Sequence, residues 1–191
     1  RDIICLVAVL MRKKLVASQL VVPLEIRERF ERFCDGNHLI YFEEGPSDPH
    51  QTWMTVCHSE ETVKLKKALD VIRSSFDEAK GSPAISGSER ACDEFLKALT
   101  RLEGAIFGYP KCCVELHAKK GPASRAKAYE ELLEDGRDQS IPIEFWAVSH
   151  APCGSKCGRT LELGRKFLDA VGEFSEGLKE HVVSRLLFPR F

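Results

Sequence analysis

Residues 81–88 read Gly81-Ser82-Pro83-Ala84-Ile85-Ser86-Gly87-Ser88. Turn formers fill the stretch and no apolar period runs through it, so it reads as a linker. The chain changes character across it. Upstream, β-branched runs alternate with helical patterns. Downstream, the apolar spacing is almost wholly helical. The expected fold is therefore α+β: a small β-α-β-β-α lobe over residues 1–80 and a mainly helical lobe over residues 88–191.

Upstream, Leu15 to Val22 is β-branched and loosely alternating, which predicts a strand that Pro23 ends. Ile26, Phe30 and Phe33 follow at helical spacing, and Asp35-Gly36-Asn37 is the expected stop. His38 to Phe42 and Thr52 to Cys57 read as strands on either side of the loop Gly45-Pro46-Ser47-Asp48-Pro49. Ser59-Glu60-Glu61-Thr62 resembles a helix start, and that helix should run to about Ala79. The apolar run Ile3–Met11 is too short to span a bilayer and reads as a buried helix or strand. Its basic residues, Arg12, Lys13 and Lys14, follow it, the reverse of a signal peptide, so a cytoplasmic protein with no membrane partner is expected.

Downstream, Ser88 can cap a helix from Glu89 to about Phe107 that Gly108 closes. Pro110 should open a helix to about Lys119, and a further one should run from Ala123 to Leu133, ending near Asp135-Gly136. Ile141 to Val148 looks extended. From about Pro152 the remainder looks helical.

Composition is that of an ordinary globular chain, with 28 basic against 29 acidic residues and a net charge of −1, so no global basic field argues for nucleic acid. One Asn, three Gln and two Met among 191 residues resemble a thermophile's avoidance of labile side chains. Eight cysteines run against that trend. Reduced cytosolic thiols in clusters point to metal sites or catalysts, while a thermophile setting keeps disulfides open.

Two segments concentrate the chemistry: Gly108-Tyr109-Pro110-Lys111-Cys112-Cys113-Val114-Glu115-Leu116-His117 and Ser149-His150-Ala151-Pro152-Cys153-Gly154-Ser155-Lys156-Cys157. Each has a proline just ahead of cysteine. If each proline is the first helical residue, Cys112, Cys113 and Cys153 sit in first turns, where the positive helix end favours thiolate. Lys111, Lys156 and Arg159 add positive charge nearby in sequence. Cys153 and Cys157, four apart, would share a helix face, with His150 three residues earlier able to join them. Four thiolates and an imidazole suffice for a tetrahedral zinc site or an iron–sulfur cluster. The candidate metal ligands are thus Cys112, Cys113, His150, Cys153 and Cys157. Adjacent side chains on a helix diverge by about 100°, so Cys113 can instead be core, leaving Cys112 to ligate alone.

Cys5, Cys34, Cys57 and Cys92 each stand alone among apolar or helical residues and read as core packing. His117 reads as a solvated or helix-terminal histidine, and Arg12-Lys13-Lys14 with Lys64, Lys66 and Lys67 as solvated faces. There is no phosphate loop, serine nucleophile elbow or acid–base carboxylate pair.

The two cysteine segments resemble an uncharacterised, mainly archaeal family with a Gly-aromatic-Pro-x-Cys-Cys turn and a later His-x-Pro-Cys-Ser-x-x-Cys turn. The resemblance covers roughly residues 105–175, including Leu161-Glu162-Leu163-Gly164-Arg165-Lys166-Phe167. It implies that Cys112, Cys113, His150, Cys153 and Cys157 belong to one site, and it carries no activity. Gly154, where the family has serine directly after cysteine, is a departure. Three functions follow for testing: a zinc or iron–sulfur protein, a thiol–disulfide redox protein using low-pKa cysteines, and a partner- or RNA-binding module with a structural metal site. The residues decide neither whether it is an enzyme nor which partner it has.

Overall fold

A computed structural model describes residues 2–44, 50–80, 89–121, 123–138 and 141–187. The expected linker 81–88 and loop 45–49 lie outside the described residues. In chain order the elements are α1 (Asp2–Leu10), β1 (Val16–Pro23), α2 (Arg27–Gly36), β2 (Ile40–Glu43), β3 (Gln51–Cys57), α3 (Glu60–Lys80), α4 (Glu89–Ile106), α5 (Lys111–Lys120), α6 (Ala123–Asp138), α7 (Glu144–Ala147), α8 (Gly158–Phe174) and α9 (Glu176–Leu187). A single 3₁₀ turn, Leu24–Ile26, joins β1 to α2. The mixed α+β class is as the sequence implies. No helix among the described residues is long and apolar enough to cross a membrane.

The chain forms two compact units that interleave in sequence. One comprises residues 1–63, 142–149 and 158–191, and the other residues 64–141 and 150–157. Residues 142–149 and 158–191, read from the sequence as part of the second lobe, group with the N-terminal strands.

In the first unit, β3 is the central strand of a three-stranded antiparallel sheet, order β1-β3-β2. The β1–β3 register shifts between Ala17 and Leu20, where Gln19 takes a left-handed φ of 57° and makes a bulge. The apolar run at the N-terminus is α1, and its lack of polarity has a packing cause. Ile4, Val7 and Ala8 join a core with Phe167, Leu168 and Val171 of α8 and Val182 of α9. Cys5 and Val9, on another side of α1, join a second core with Ala17, Leu20, Met54 and Val56 of the sheet and Cys34 of α2. A helix buried on two sides has no polar face to keep. Each fully buried Ile or Val contributes about 1.5–3 kcal/mol.

Lys14, expected on a solvated face, is only 6% exposed, with its ammonium donating to Ser149 Oγ at 2.8 Å. Of residues 141–148, expected to be extended, Glu144–Ala147 are helical and Val148 is extended (φ −93°, ψ 156°). Phe145 and Trp146 N–H groups bond back to the Pro142 and Ile143 carbonyls, forming the one-turn helix α7. A close approach selects this shape: a Cβ on Gly164 of α8 would overlap the Glu144 carbonyl, so only glycine lets the two backbones meet.

Two helices end on a non-glycine residue in the left-handed region. α2 ends at Gly36, inside the expected stop Asp35-Gly36-Asn37, and the left-handed residue just beyond it is His38 (φ 56°). Its N–H reaches Asp35 O and that of Leu39 reaches Cys34 O, the paired bonds of a Schellman motif. Arg12 (φ 56°) does the same for α1, with Arg12 N to Val9 O and Lys13 N to Ala8 O. Burial, with Asp35 and Glu31 adding to it, pushes the Cys34 thiol up to about 12. Cys5, Cys34 and Cys57 are buried, consistent with packing roles, whereas Cys92 is half-buried.

The second unit holds the body of α3 with α4, α5, α6 and the segment 150–157. Phe76 of α3 stacks on Phe95 of α4, ring centroids 4.4 Å apart. Lys66, also read as solvated, is 5% exposed and bonded to both oxygens of Asp70.

Candidate metal centre

The first cysteine segment is a helix stop followed at once by a helix start. Gly108 (φ 69°) ends α4 in a Schellman motif, with Gly108 N to Ala105 O at 3.2 Å and Tyr109 N to Gly104 O at 2.8 Å. Proline is favoured just beyond such a stop because it cannot continue the helix. Pro110 is not the first helical residue, as the sequence suggested. It sits in the cap position (φ −57°, ψ 131°), and its carbonyl accepts the N–H groups of Cys113 and Val114. Lys111, Cys112 and Cys113 therefore make the first turn of α5.

Two contacts hold α5 on α4. A Cβ on Gly104 would overlap both γ carbons of Val114, so the helices meet backbone to side chain at this point. Nearby, the Arg101 guanidinium donates twice to the Glu115 carboxylate, at 2.9 and 3.0 Å. That bidentate bond holds the Glu115 carboxyl below the usual carboxylate range and raises the Arg101 guanidinium.

The second cysteine segment does not begin a helix at Pro152. Residues 151–157 run through bends and a turn, and α8 begins only at Gly158. Cys153 and Cys157 are thus not on a common helix face. Cys157 N–H bonds to Gly154 O at 3.1 Å, closing a turn that folds Cys157 back toward Cys153. Gly154 and Ser155 explain the difference from the first segment, since both favour turns over a helical first turn.

The four thiols converge. The Sγ atoms of Cys112, Cys113, Cys153 and Cys157 all lie within 4.8 Å of one another, an arrangement that could hold a metal ion. Cys112 to Cys157 and Cys113 to Cys157 are each 3.7 Å, and Cys112 to Cys113 is 3.9 Å. The two adjacent cysteines both take part, contrary to the expected divergence. In a helix every Cα–Cβ bond leans toward the N-terminus, so first-turn side chains project beyond the helix end. Cys113 is both core and site, at 1% exposed, while the other three cysteines are half-buried.

The geometry runs against the low-pKa reading at Cys153. Burial, reinforced by its hydrogen bond with Cys157, pushes this thiol up to about 11. It has no helix end behind it, and its hydrogen bond with Cys113 offsets only part of the desolvation of its thiolate.

His150, expected as a ligand, is not among the converging atoms. It is buried, 5% exposed, with its ring 5.0 Å from that of Tyr109, which itself stacks on Phe107 at 5.6 Å. It packs the segment against the α4–α5 turn. The histidine that the sequence reading missed is His117. It is 7% exposed, and its Nε2 lies 2.9 Å from the Ala151 carbonyl. A carbonyl only accepts, so Nε2 carries the proton and donates. His117 thereby ties α5 to the backbone two residues before Cys153. A signal existed: His117 is four residues after Cys113, on the same helix face.

Comparison with models of known protein families, with curated proteins and with solved structures finds no match to this chain.

Proposed function

We propose that Cys112, Cys113, Cys153 and Cys157 bind one zinc ion as a structural tetrathiolate centre. The observation that carries this is the spacing of the sulfurs. Zinc–thiolate bonds of about 2.3 Å in tetrahedral geometry place the sulfurs about 3.8 Å apart. The three sulfur separations above are 3.7, 3.7 and 3.9 Å. An iron–sulfur cluster suits the site less well, because its own irons and sulfides spread the cysteines further than a single ion does. Four protein ligands leave no open position for substrate, which favours a structural over a catalytic role. Such an ion would hold the α4–α5 turn to the segment 150–157, and His117 would orient the chain behind Cys153 as outer-shell groups do.

The test is metal analysis and thiol titration of anaerobically purified protein. One zinc per chain is expected, lost in Cys153→Ala together with melting of residues 64–141 and 150–157. Brown protein with several irons and sulfide per chain would overturn the zinc reading. A chain carrying neither metal, with four reactive thiols after zinc is added, would overturn the site altogether.

A further inference from the structure

We propose that this centre is also an oxidation-triggered release site, in which a peroxide links Cys112 to Cys157 and frees the metal. The inference rests on the zinc reading and goes beyond it. A sealed structural site would bury all four sulfurs, but here Cys112, the thiolate that meets the oxidant, is half-buried. Cys112 and Cys157 are each next in sequence to an exposed lysine, Lys111 and Lys156. Metal-held thiolates with partial exposure are the ones oxidants reach. Cys112 and Cys157 are 3.7 Å apart, and they come from different pieces of chain. Cys157 rides on the turn closed at Gly154, whose Cα faces open space.

The chemistry balances with a peroxide as the two-electron oxidant. The Cys112 thiolate attacks one peroxide oxygen, the O–O bond breaks, and the leaving hydroxide takes a proton to become water. The Cys157 thiolate then attacks the Cys112 sulfenic acid, forming the S–S bond and expelling a second water after protonation. Two thiolates are oxidised to one disulfide, and one peroxide is reduced to two waters. Cys113 and Cys153 are left as a two-thiolate remainder, too few to hold the ion tightly.

The experiment uses the whole zinc-loaded chain, with zinc content measured first, so that failure of the zinc reading appears before any oxidant is added. Hydrogen peroxide is then titrated in the presence of a chromophoric zinc chelator, and disulfides are mapped by mass spectrometry. About one equivalent of zinc released per equivalent of peroxide is expected, with a peptide cross-link between Cys112 and Cys157. Buried Cys5, Cys34 and Cys57 serve as internal controls and should remain reduced. Reduction with dithiothreitol and added zinc should restore the loaded form. Zinc that stays bound under excess peroxide would overturn the proposal. So would release with sulfinic acids and no disulfide, or with Cys112 linked to Cys113 instead.

Discussion

Adding one methyl group at Gly104 pits two effects against each other, and the contact with α5 decides the sign. Alanine in place of glycine in a helix interior is worth about 0.5–1 kcal/mol through backbone entropy. Here the new Cβ would collide with both γ carbons of Val114, which is 9% exposed. A β-branched side chain in a helix has essentially one χ1 rotamer, so Val114 cannot turn aside and α5 must shift. Overpacking of this kind costs about 1–3 kcal/mol, so Gly104→Ala should be destabilising by about 1–2 kcal/mol net. Moving α5 also moves Cys112 and Cys113, so zinc affinity should fall with stability. The check is a double-mutant cycle by urea denaturation. Val114→Ala alone removes two methyl groups and destabilises, but it also vacates the space the new Cβ needs. The double variant should therefore be more stable than the sum of the singles by about 1–3 kcal/mol. A single variant as stable as wild type, or additive effects, would refute the close approach as the element that sets α5.

Three further outcomes follow from the same structure. His117→Ala removes the donor to the Ala151 carbonyl and should weaken zinc binding about 10–100-fold, as loss of an outer-shell partner does; His117→Gln, which keeps an N–H at the same reach, should recover part of it in a chelator competition. Arg12→Gly and His38→Gly relieve left-handed backbone at two helix ends and should each stabilise by about 0.5–1 kcal/mol, read as a higher urea midpoint at constant slope. The Cys34 thiol should resist alkylation at pH 8. Its folded value of about 12 exceeds that of an unfolded cysteine, so the stability it contributes is complete below the unfolded value, about 8.5, and is lost as pH rises toward 12. Cys34→Ala should flatten the alkaline limb of the stability profile, and an unchanged limb would discount that thiol.

The sheet and the long helices were legible because their signals are local and strong. Thr52 to Cys57 carries β-branched residues that pair with a strand on both sides, and the Phe30 and Phe33 spacing in α2 matches the core it meets. The stop before Cys112 was legible too, since a glycine in left-handed φ followed by proline has few other uses. The second cysteine segment misled because Pro152-Cys153 repeats the local signal of Pro110-Lys111-Cys112. Gly154 and Ser155 then tip the backbone into a turn that a proline alone does not reveal. α7 was illegible for a different reason: one turn of helix over Glu144–Ala147 is selected by Gly164, some twenty residues away. His117 and Lys14 were misjudged because residue type sets a prior for exposure, while their partners, Ala151 and Ser149, lie far along the chain.

The interleaving of the two units has a consequence for the order in which the molecule is completed. All four cysteines have been synthesised once residue 157 leaves the ribosome, and so has the whole of the second unit. The first unit still lacks α8 and α9 at that moment, and of the core that Ile4, Val7 and Ala8 of α1 enter, only Ala147 and Val148 have been made until those helices arrive. Domains tend to fold as units during synthesis, N-terminal first. Here the inner segment is finished before the outer one, and α1 waits with one apolar side uncovered for more than a hundred and fifty residues. A cut within residues 81–88 would leave no complete unit in either fragment.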